Sequence, residues 1–150
     1  MPLRYLEDFT PGTTLELGSY TITREEILTF AHQFDPQPFH IDEARAKASL
    51  YGGLIASGWH TGALMMRMFA DNFLSPASSL ASPGLDELRW LLPVRPGDVL
   101  GLRVTILEAR RSRTRPEQGI VRSLVEVLNQ HGEVAMSLKP VSLIRCRPRP

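Results

Sequence analysis

"GWHTGALMMRMFADNFL", residues 58–74, predicts a helix that is apolar around nearly its whole circumference. A helix without a polar face is stable only when other parts of the chain bury it. Arg67 and Asp71 are four residues apart and form the one polar edge, where they can pair. The segment therefore predicts a central helix with the rest of the fold packed around it. Its apolar positions are Ala63, Leu64, Met65, Met66, Met68, Phe69, Ala70 and Phe73.

The segments on either side of this helix carry strand patterns. Residues 13–22 predict a strand or a strand pair with an irregularity at Gly18, and further strands follow the helix. Helices early in a chain and strands in series afterwards are typical of an α+β fold with an antiparallel sheet. A sheet wrapped around the central helix would explain why that helix has almost no polar face. The later strands are predicted within residues 85–94, 98–109, 119–130 and 133–146.

Another helix is predicted immediately after the first strand. Thr23 and Glu26 have the spacing of a capping box, in which each side chain bonds the backbone N–H of the other residue. The helix should end at about Phe34, because Pro36 pushes Asp35 out of the helical region. An acidic side chain therefore follows the helix end directly. The apolar stripe of this helix is predicted at Ile27, Phe30, Ala31 and Phe34.

"FDPQPFHID", residues 34–42, places a carboxylate and an imidazole, Asp35 and His40, in a loop stiffened by Pro36 and Pro38. Such a pair can divide general acid and general base work. A fully extended path would separate the two residues by about 15 Å, so the loop has to turn for them to meet. The alternative is that Asp35 caps a turn and His40 is an ordinary packed or exposed histidine.

Gly58 opens the central helix and allows two interpretations. The first N–H groups of a helix have no partners within it and carry a partial positive charge, which suits a developing oxyanion. Alternatively, Gly58 only lets the chain turn tightly into the helix. His60, in the first turn, either lines a pocket or is a satisfied core histidine, and the latter is favoured. His32 is predicted to face solvent.

Composition and missing motifs exclude several classes of function. A formal net charge of +1 argues against nucleic acid and against a membrane surface as partners. The single cysteine, Cys146, excludes an internal disulfide and a zinc site built on several thiolates. The histidines match no metal-ligand spacing, so we predict no metal. The chain contains no glycine-rich phosphate loop, no Gly-x-Ser-x-Gly elbow and no cysteine nucleophile motif.

The length of 150 residues predicts one domain over residues 1–150. The N-terminus brings acidic residues early and no apolar segment, so we expect no signal peptide and a cytoplasmic protein. The arginine-rich segment at residues 109–119 is interpreted as a solvated hairpin loop, although arginines in such numbers also suit phosphate binding.

The motifs together resemble the MaoC-like dehydratase family, which includes the (R)-specific enoyl-CoA hydratases. The family signature is Asp-x-Asn-Pro-x-His with an acid two residues later, followed by a buried helix that opens at a glycine. Here the signature runs from Asp35 to Asp42, and the glycine is Gly58. The resemblance covers most of the chain, through residues 4–42, 52–69 and 88–100.

This resemblance implies a hotdog fold, in which an antiparallel sheet wraps around a long buried helix. It implies a homodimer with acyl-thioester sites near the subunit interface. It also implies that Asp35 and His40 are the catalytic pair and that the Gly58 N–H faces the thioester oxygen. The activity implied is reversible hydration of a trans-2-enoyl-CoA, or dehydration of a 3-hydroxyacyl-CoA, without a cofactor. The expected substrate-binding residues are Ser57, Trp59, His60 and Met66.

The chain departs from the family pattern at three positions. Gln37 replaces the signature asparagine, Ser57 stands where hydratases often carry histidine, and Met66 stands where some carry serine near the acyl chain. Two other functions remain open. One is an acyl-CoA thioesterase, which needs an acid and a water near the carbonyl but has no evident need for the imidazole. The other is a non-catalytic acyl-thioester binding subunit.

Overall fold

The computed structural model describes residues 3–150. Residues 1 and 2, which belong to the expected domain and to the N-terminal segment considered above, lie outside it. The helices are α1 Arg24–Phe34, α2 Pro38–Ile41, α3 Glu43–Ala48 and α4 Gly58–Asn72. The strands are β1 Thr14–Thr21, β2 Gly84–Trp90, β3 Val99–Arg111, β4 Gln118–Leu128 and β5 Val134–Arg145.

The strands form one antiparallel five-stranded sheet in the order β1-β3-β4-β5-β2. Along β4 every second residue is buried, so one face of the sheet carries the core. Strand β2 comes before β3 in the chain but pairs with β5, which places it at an edge of the sheet. The prediction of an α+β fold with a hotdog-like sheet packed on a long helix is confirmed.

Helix α4 buries its sheet-facing side in the core. Leu64, Met65, Met68 and Phe69 are all less than a tenth exposed. The ring of Phe69 stacks on that of Phe73, with 4.5 Å between the ring centroids. Burying one such side chain contributes about 1.5–3 kcal/mol, so this side of α4 anchors the sheet to the helix.

The opposite side of α4 is exposed in the single chain. Trp59 is 64% exposed and Met66 is 45% exposed, and Ala63 and Arg67 are exposed beside them. The expectation of burial around nearly the whole helix is therefore wrong for this face, because the sheet covers only one side. Apolar composition signals that a helix face avoids water, but it does not say which chain covers that face.

The local signals before α4 are confirmed with two corrections. The capping box forms, since Thr23 Oγ1 accepts from the Glu26 N–H and the Glu26 carboxylate accepts from the Thr23 N–H, both at 3.2 Å. Strand β1 shifts register between Leu17 and Tyr20, around the predicted irregularity at Gly18.

The first correction concerns the stripe of α1. Ile27 and Ala31 are fully buried, but Phe34, the last residue of α1, is 65% exposed. The second correction concerns the loop predicted at residues 34–42. A turn of helix already begins at Pro38, so His40 lies in a helix and not in an open loop. In the described part of the chain, no helix is both long enough and apolar enough to cross a membrane.

Candidate active site

The end of α1 and the short helix α2 bring Asp35 and His40 together. Asp35 caps α1, and its N–H donates to the Ala31 carbonyl at 2.9 Å. Pro38 occupies the first turn of α2, where the missing N–H of proline costs no hydrogen bond. The single helical turn folds the chain back, so that His40 Nε2 lies 3.3 Å from Asp35 Oδ2. The turn needed for the two side chains to meet is therefore present.

His40 is held by a backbone carbonyl. The ring is 5% exposed, and its Nδ1 lies 2.7 Å from the Ile55 carbonyl oxygen. A carbonyl oxygen only accepts hydrogen bonds, so Nδ1 carries the proton and donates it. The other ring nitrogen, Nε2, faces Asp35, and it donates to the carboxylate when the ring is protonated. The Ile55 N–H donates in turn to the Phe39 carbonyl at 3.2 Å, which ties this segment to α2.

The carboxylate of Asp35 receives two hydrogen bonds besides the His40 contact. Gln37 Nε2 donates to Oδ1 and Ser57 Oγ donates to Oδ2, both at 2.7 Å. Partial burial raises the pKa of Asp35, but the hydrogen bonds from Ser57 and Gln37 and the charge of His40 outweigh it. The pKa of Asp35 therefore lies below its ordinary value, and the group is a carboxylate at neutral pH.

Asp35 and His40 open onto a cavity of about 400 Å³. Its walls come from α2, the start of α4 and the segment that follows β2, so three separate parts of the chain meet there. The lining combines the polar pair with aromatic and aliphatic side chains, as in most small-molecule sites. Among the residues that line it are Asp35, His40, Gly58, Trp59, Thr61 and Trp90.

Gly58 is required by the packing of Trp90. A Cβ added at Gly58 would lie 2.5 Å from Trp90 Cε2, far closer than carbon atoms can approach. Trp90 Nε1 also donates a hydrogen bond to the Gly58 carbonyl at 2.9 Å. Gly58 is the first residue of α4 and lines the cavity, and its N–H has no acceptor within the helix. The glycine at position 58 therefore leaves room for the Trp90 indole, and its N–H has no acceptor within α4.

Trp90 is a site residue that the sequence interpretation missed. It ends β2, lines the cavity and meets Trp59 edge-on, with 5.1 Å between the ring centroids. A tryptophan within a predicted strand is an available signal for a binding wall. Its pairing with the start of a helix 32 residues earlier is not encoded in any local pattern.

The expected substrate-binding residues divide into two groups. Trp59 lines the cavity, and Ser57 lies behind it, fully buried and bonded to Asp35. His60 and Met66 lie outside the cavity lining. Met66 is on the exposed face of α4.

His60 packs against α1. Its ring stacks on Phe30 with 4.6 Å between the centroids, and it borders a separate groove that Tyr20 and Glu26 also line. Burial lowers the pKa of His60 and the charge of Glu26 opposes this only in part. Within residues 3–150, His60 Nδ1 is buried and has no hydrogen-bond partner. His60 is therefore packed, but its unpaired Nδ1 does not fit the favoured interpretation as a satisfied core histidine.

Two further features bear on the expected ligands. His32 is exposed, as predicted. In the arginine-rich hairpin between β3 and β4, Arg110 pairs with Glu108 at 2.8 Å and Arg111 with Glu7 at 3.4 Å. Over the residues described, no three His, Cys, Asp or Glu side chains gather closely enough to hold a metal ion.

Comparison with known proteins extends these observations. A family profile described as "MaoC like domain" matches residues 8–128. The crystal structure of a MaoC-like dehydratase from Rhodospirillum rubrum superimposes with a TM-score of 0.90 at 38% identity, covering 97% of this chain and 99% of that one. The protein YdeM of Bacillus subtilis is 29% identical over 140 residues, 89% of this chain and 98% of its own length. The 3-hydroxyacyl-thioester dehydratase Z of Mycobacterium tuberculosis is 32% identical over 109 residues, covering 71% of this chain and 72% of its own.

Proposed function

This chain belongs to the MaoC-like dehydratase family of hydro-lyases, and we propose that it catalyses the reversible hydration of a trans-2-enoyl-CoA, or the reverse dehydration of a 3-hydroxyacyl-CoA. The observation that carries the proposal is the 3.3 Å contact between His40 Nε2 and Asp35 Oδ2 at the wall of a cavity that also contains Gly58. The mycobacterial relative's name, which specifies a hydroxyacyl thioester, supports the thioester class.

The proton positions follow from the hydrogen bonds. The Ile55 carbonyl keeps a proton on His40 Nδ1, so Nε2 is the nitrogen that exchanges protons with a bound water. Asp35 carries the negative charge beside it. A water in the cavity that is hydrogen-bonded to both side chains loses one proton to this pair while its oxygen bonds to C3 of the enoyl group.

The electrons of the C2–C3 double bond then move toward the thioester, and negative charge develops on its oxygen. The Gly58 N–H at the start of α4 is the donor proposed for this oxygen, and the partial positive charge of the helix end adds to it. The pair returns a proton to C2, which completes the addition of one water. Loss of a single oxyanion donor typically raises such a barrier by about 3 kcal/mol.

The test is to incubate the purified protein with crotonyl-CoA while following the conjugated enoyl absorbance and free thiol together. We expect the absorbance to fall without release of thiol. Asp35→Asn and His40→Ala should each abolish that loss while circular dichroism shows a folded protein. Activity retained in either variant would overturn the assignment of the pair.

The same assay separates the other two functions. Thiol release would assign an acyl-CoA thioesterase. Binding of acyl-CoA without turnover, across a panel of enoyl chain lengths and branching patterns, would assign a non-catalytic binding subunit. The panel is needed because one unsuitable acyl chain would imitate the binding-only result.

We further propose that the chain forms a homodimer. The edge strand β2 offers unpaired backbone groups, and apolar side chains at its end are exposed. Trp59, Trp90 and Leu91 are 64%, 45% and 53% exposed, and all three border the cavity. A second copy covering this edge would bury them and place the thioester site near the subunit interface.

A further inference from the structure

Ser57 does not do what a serine at a helix start usually does. It is the N-cap residue of α4, a position where the hydroxyl oxygen normally accepts from the second or third N–H of the helix. No such bond forms at Ser57, and its hydroxyl donates to Asp35 Oδ2 at 2.7 Å. Two other helices of this chain are capped in the ordinary way, by Thr23 on α1 and Asp42 on α3.

The start of α4 is held without the hydroxyl. The N–H groups of His60 and Thr61 donate to the Ser57 carbonyl at 3.0 and 3.1 Å. The hydroxyl is therefore available to reach across to the end of α1, 22 residues away in sequence.

The Ser57 side chain is suited to hold the Asp35 carboxylate in one orientation. The residue is fully buried, so its hydroxyl is shielded from competing water. It meets the same carboxylate oxygen that faces His40 Nε2. Gln37, which holds the other oxygen, is exposed and follows Asp35 by only two residues in the chain. Within residues 3–150, Ser57 is thus the donor that connects the Asp35 carboxylate to the start of α4, where Gly58 lines the cavity.

We propose that Ser57 is a positioning residue that locks Asp35 Oδ2 against His40 Nε2 and fixes the pair relative to the start of α4. This inference rests on the proposed hydration activity, because its purpose is to hold the proton-transfer pair in register with the thioester. It replaces the expectation that Ser57 contacts substrate, since the side chain lies behind the cavity wall.

The electrostatics agree with this geometry. Partial burial raises the pKa of Asp35, and the Ser57 hydrogen bond is the largest effect that lowers it. A carboxylate with a lowered pKa is ionised above that pKa and protonated below it. Removal of the hydroxyl should therefore move the titration of Asp35 to higher pH.

The experiment compares Ser57→Ala with the wild-type protein. We expect the acid limb of the pH profile of kcat/KM to shift to higher pH by about one unit, because the Asp35 carboxylate loses a hydrogen bond that stabilises its charged form. We expect kcat to fall about tenfold while KM changes less than about twofold, because a positioning residue does not touch the substrate. Carbon NMR of the Asp35 side-chain carboxyl should show the same upward movement.

Thr23→Ala is the matched control, since it removes an ordinary cap from α1. It should lower the melting temperature and leave both the pH profile and the Asp35 titration unchanged. Ser57→Cys provides a second variant that fills similar space with a weaker donor, and its titration should lie between wild type and Ser57→Ala.

An Asp35 titration that is unchanged in both Ser57 variants would overturn the inference, even if activity fell. The NMR titration also distinguishes the two proposals. If the wild-type protein hydrates no enoyl-CoA, the proposed function fails, whereas the carboxyl titration still shows whether Ser57 holds Asp35.

Discussion

Trp90 lies against Gly58 so closely that its indole occupies the space a side chain at position 58 would need. The hydrogen bond from Trp90 Nε1 to the Gly58 carbonyl fixes the ring in that place. The contact joins the end of the edge strand β2 to the start of α4. One wall of the cavity and the amide proposed for the thioester oxygen are therefore positioned by the same pair of residues.

Gly58→Ala should disturb both stability and activity. The added carbon would lie 2.5 Å from Trp90 Cε2, so the ring or the helix start has to move. We expect destabilisation of about 1–3 kcal/mol, measured by urea unfolding. A displacement of about 1 Å at the proposed oxyanion donor should lower kcat/KM about 100-fold in the crotonyl-CoA assay.

Gly62→Ala is the control on the same helix. A Cβ there would meet only Met136 Cε at 3.6 Å, an ordinary contact, so the variant should be about 0.5–1 kcal/mol more stable. The double variant Gly58→Ala/Trp90→Ala should lose less stability than the sum of the two single variants. Strict additivity would show that the two residues do not share the space.

Gln37→Leu should alter the pH dependence of activity in the same direction as loss of Ser57, but less. Gln37 donates to Asp35 Oδ1 at 2.7 Å, and its contribution to the lowered pKa of Asp35 is smaller than that of Ser57. The acid limb of kcat/KM should therefore move to higher pH. A movement larger than that of Ser57→Ala, or one toward lower pH, would contradict this order.

His60 should make the fold sensitive to acid. Its pKa is lowered by burial, so the unfolded chain binds a proton more readily than the folded chain. The stability contributed by the neutral His60 ring is fully present at pH values above the ordinary histidine pKa. It is lost as the pH falls from there through the lowered pKa of the folded state. His60→Phe keeps a flat ring against Phe30 and removes the unpaired Nδ1.

Thermal unfolding at pH 5 and pH 8 would measure this effect. We expect His60→Phe to raise the melting temperature more at pH 5 than at pH 8. The exposed His32 provides the control, because His32→Phe should show no such difference. An equal change at both pH values would mean that protonation of His60 does not oppose folding.

Met66 tests whether the proposed dimer interface extends over the exposed face of α4, where Trp59 also lies. It is 45% exposed on the uncovered face of α4 and lies outside the cavity lining. Met66→Glu would bury an unpaired charge if a second copy covers this face, so the dimer should dissociate. Light scattering after gel filtration should then report the mass of one chain, about 16.8 kDa, with an intact circular dichroism spectrum.

Leu107→Glu is the matched control, because Leu107 is also 45% exposed but lies on β3. It should leave the mass unchanged. A dimer that survives Met66→Glu would exclude this face of α4 from the interface, and a wild-type protein with the mass of one chain would refute the dimer.

The local features of the fold could be predicted from the sequence. The capping box at Thr23 and the end of α1 before Pro36 both depend on atoms within four residues of each other. The α+β class follows from one apolar helix and a series of strands, since burial periodicity reports secondary structure directly. Asp35, His40 and Gly58 were candidates on the same local grounds.

The assembled site depends on contacts that the periodicity of apolar residues does not predict. His40 meets Asp35 because α2 turns the chain back, Ser57 reaches Asp35 from another helix, and Trp90 reaches Gly58 from an edge strand. Local hydrogen bonds and the apolar pattern of a helix or strand involve residues close together in the chain, so they can be predicted from the sequence. Contacts between distant segments arise only when the sheet has closed on α4, and their geometry is set by how whole elements pack.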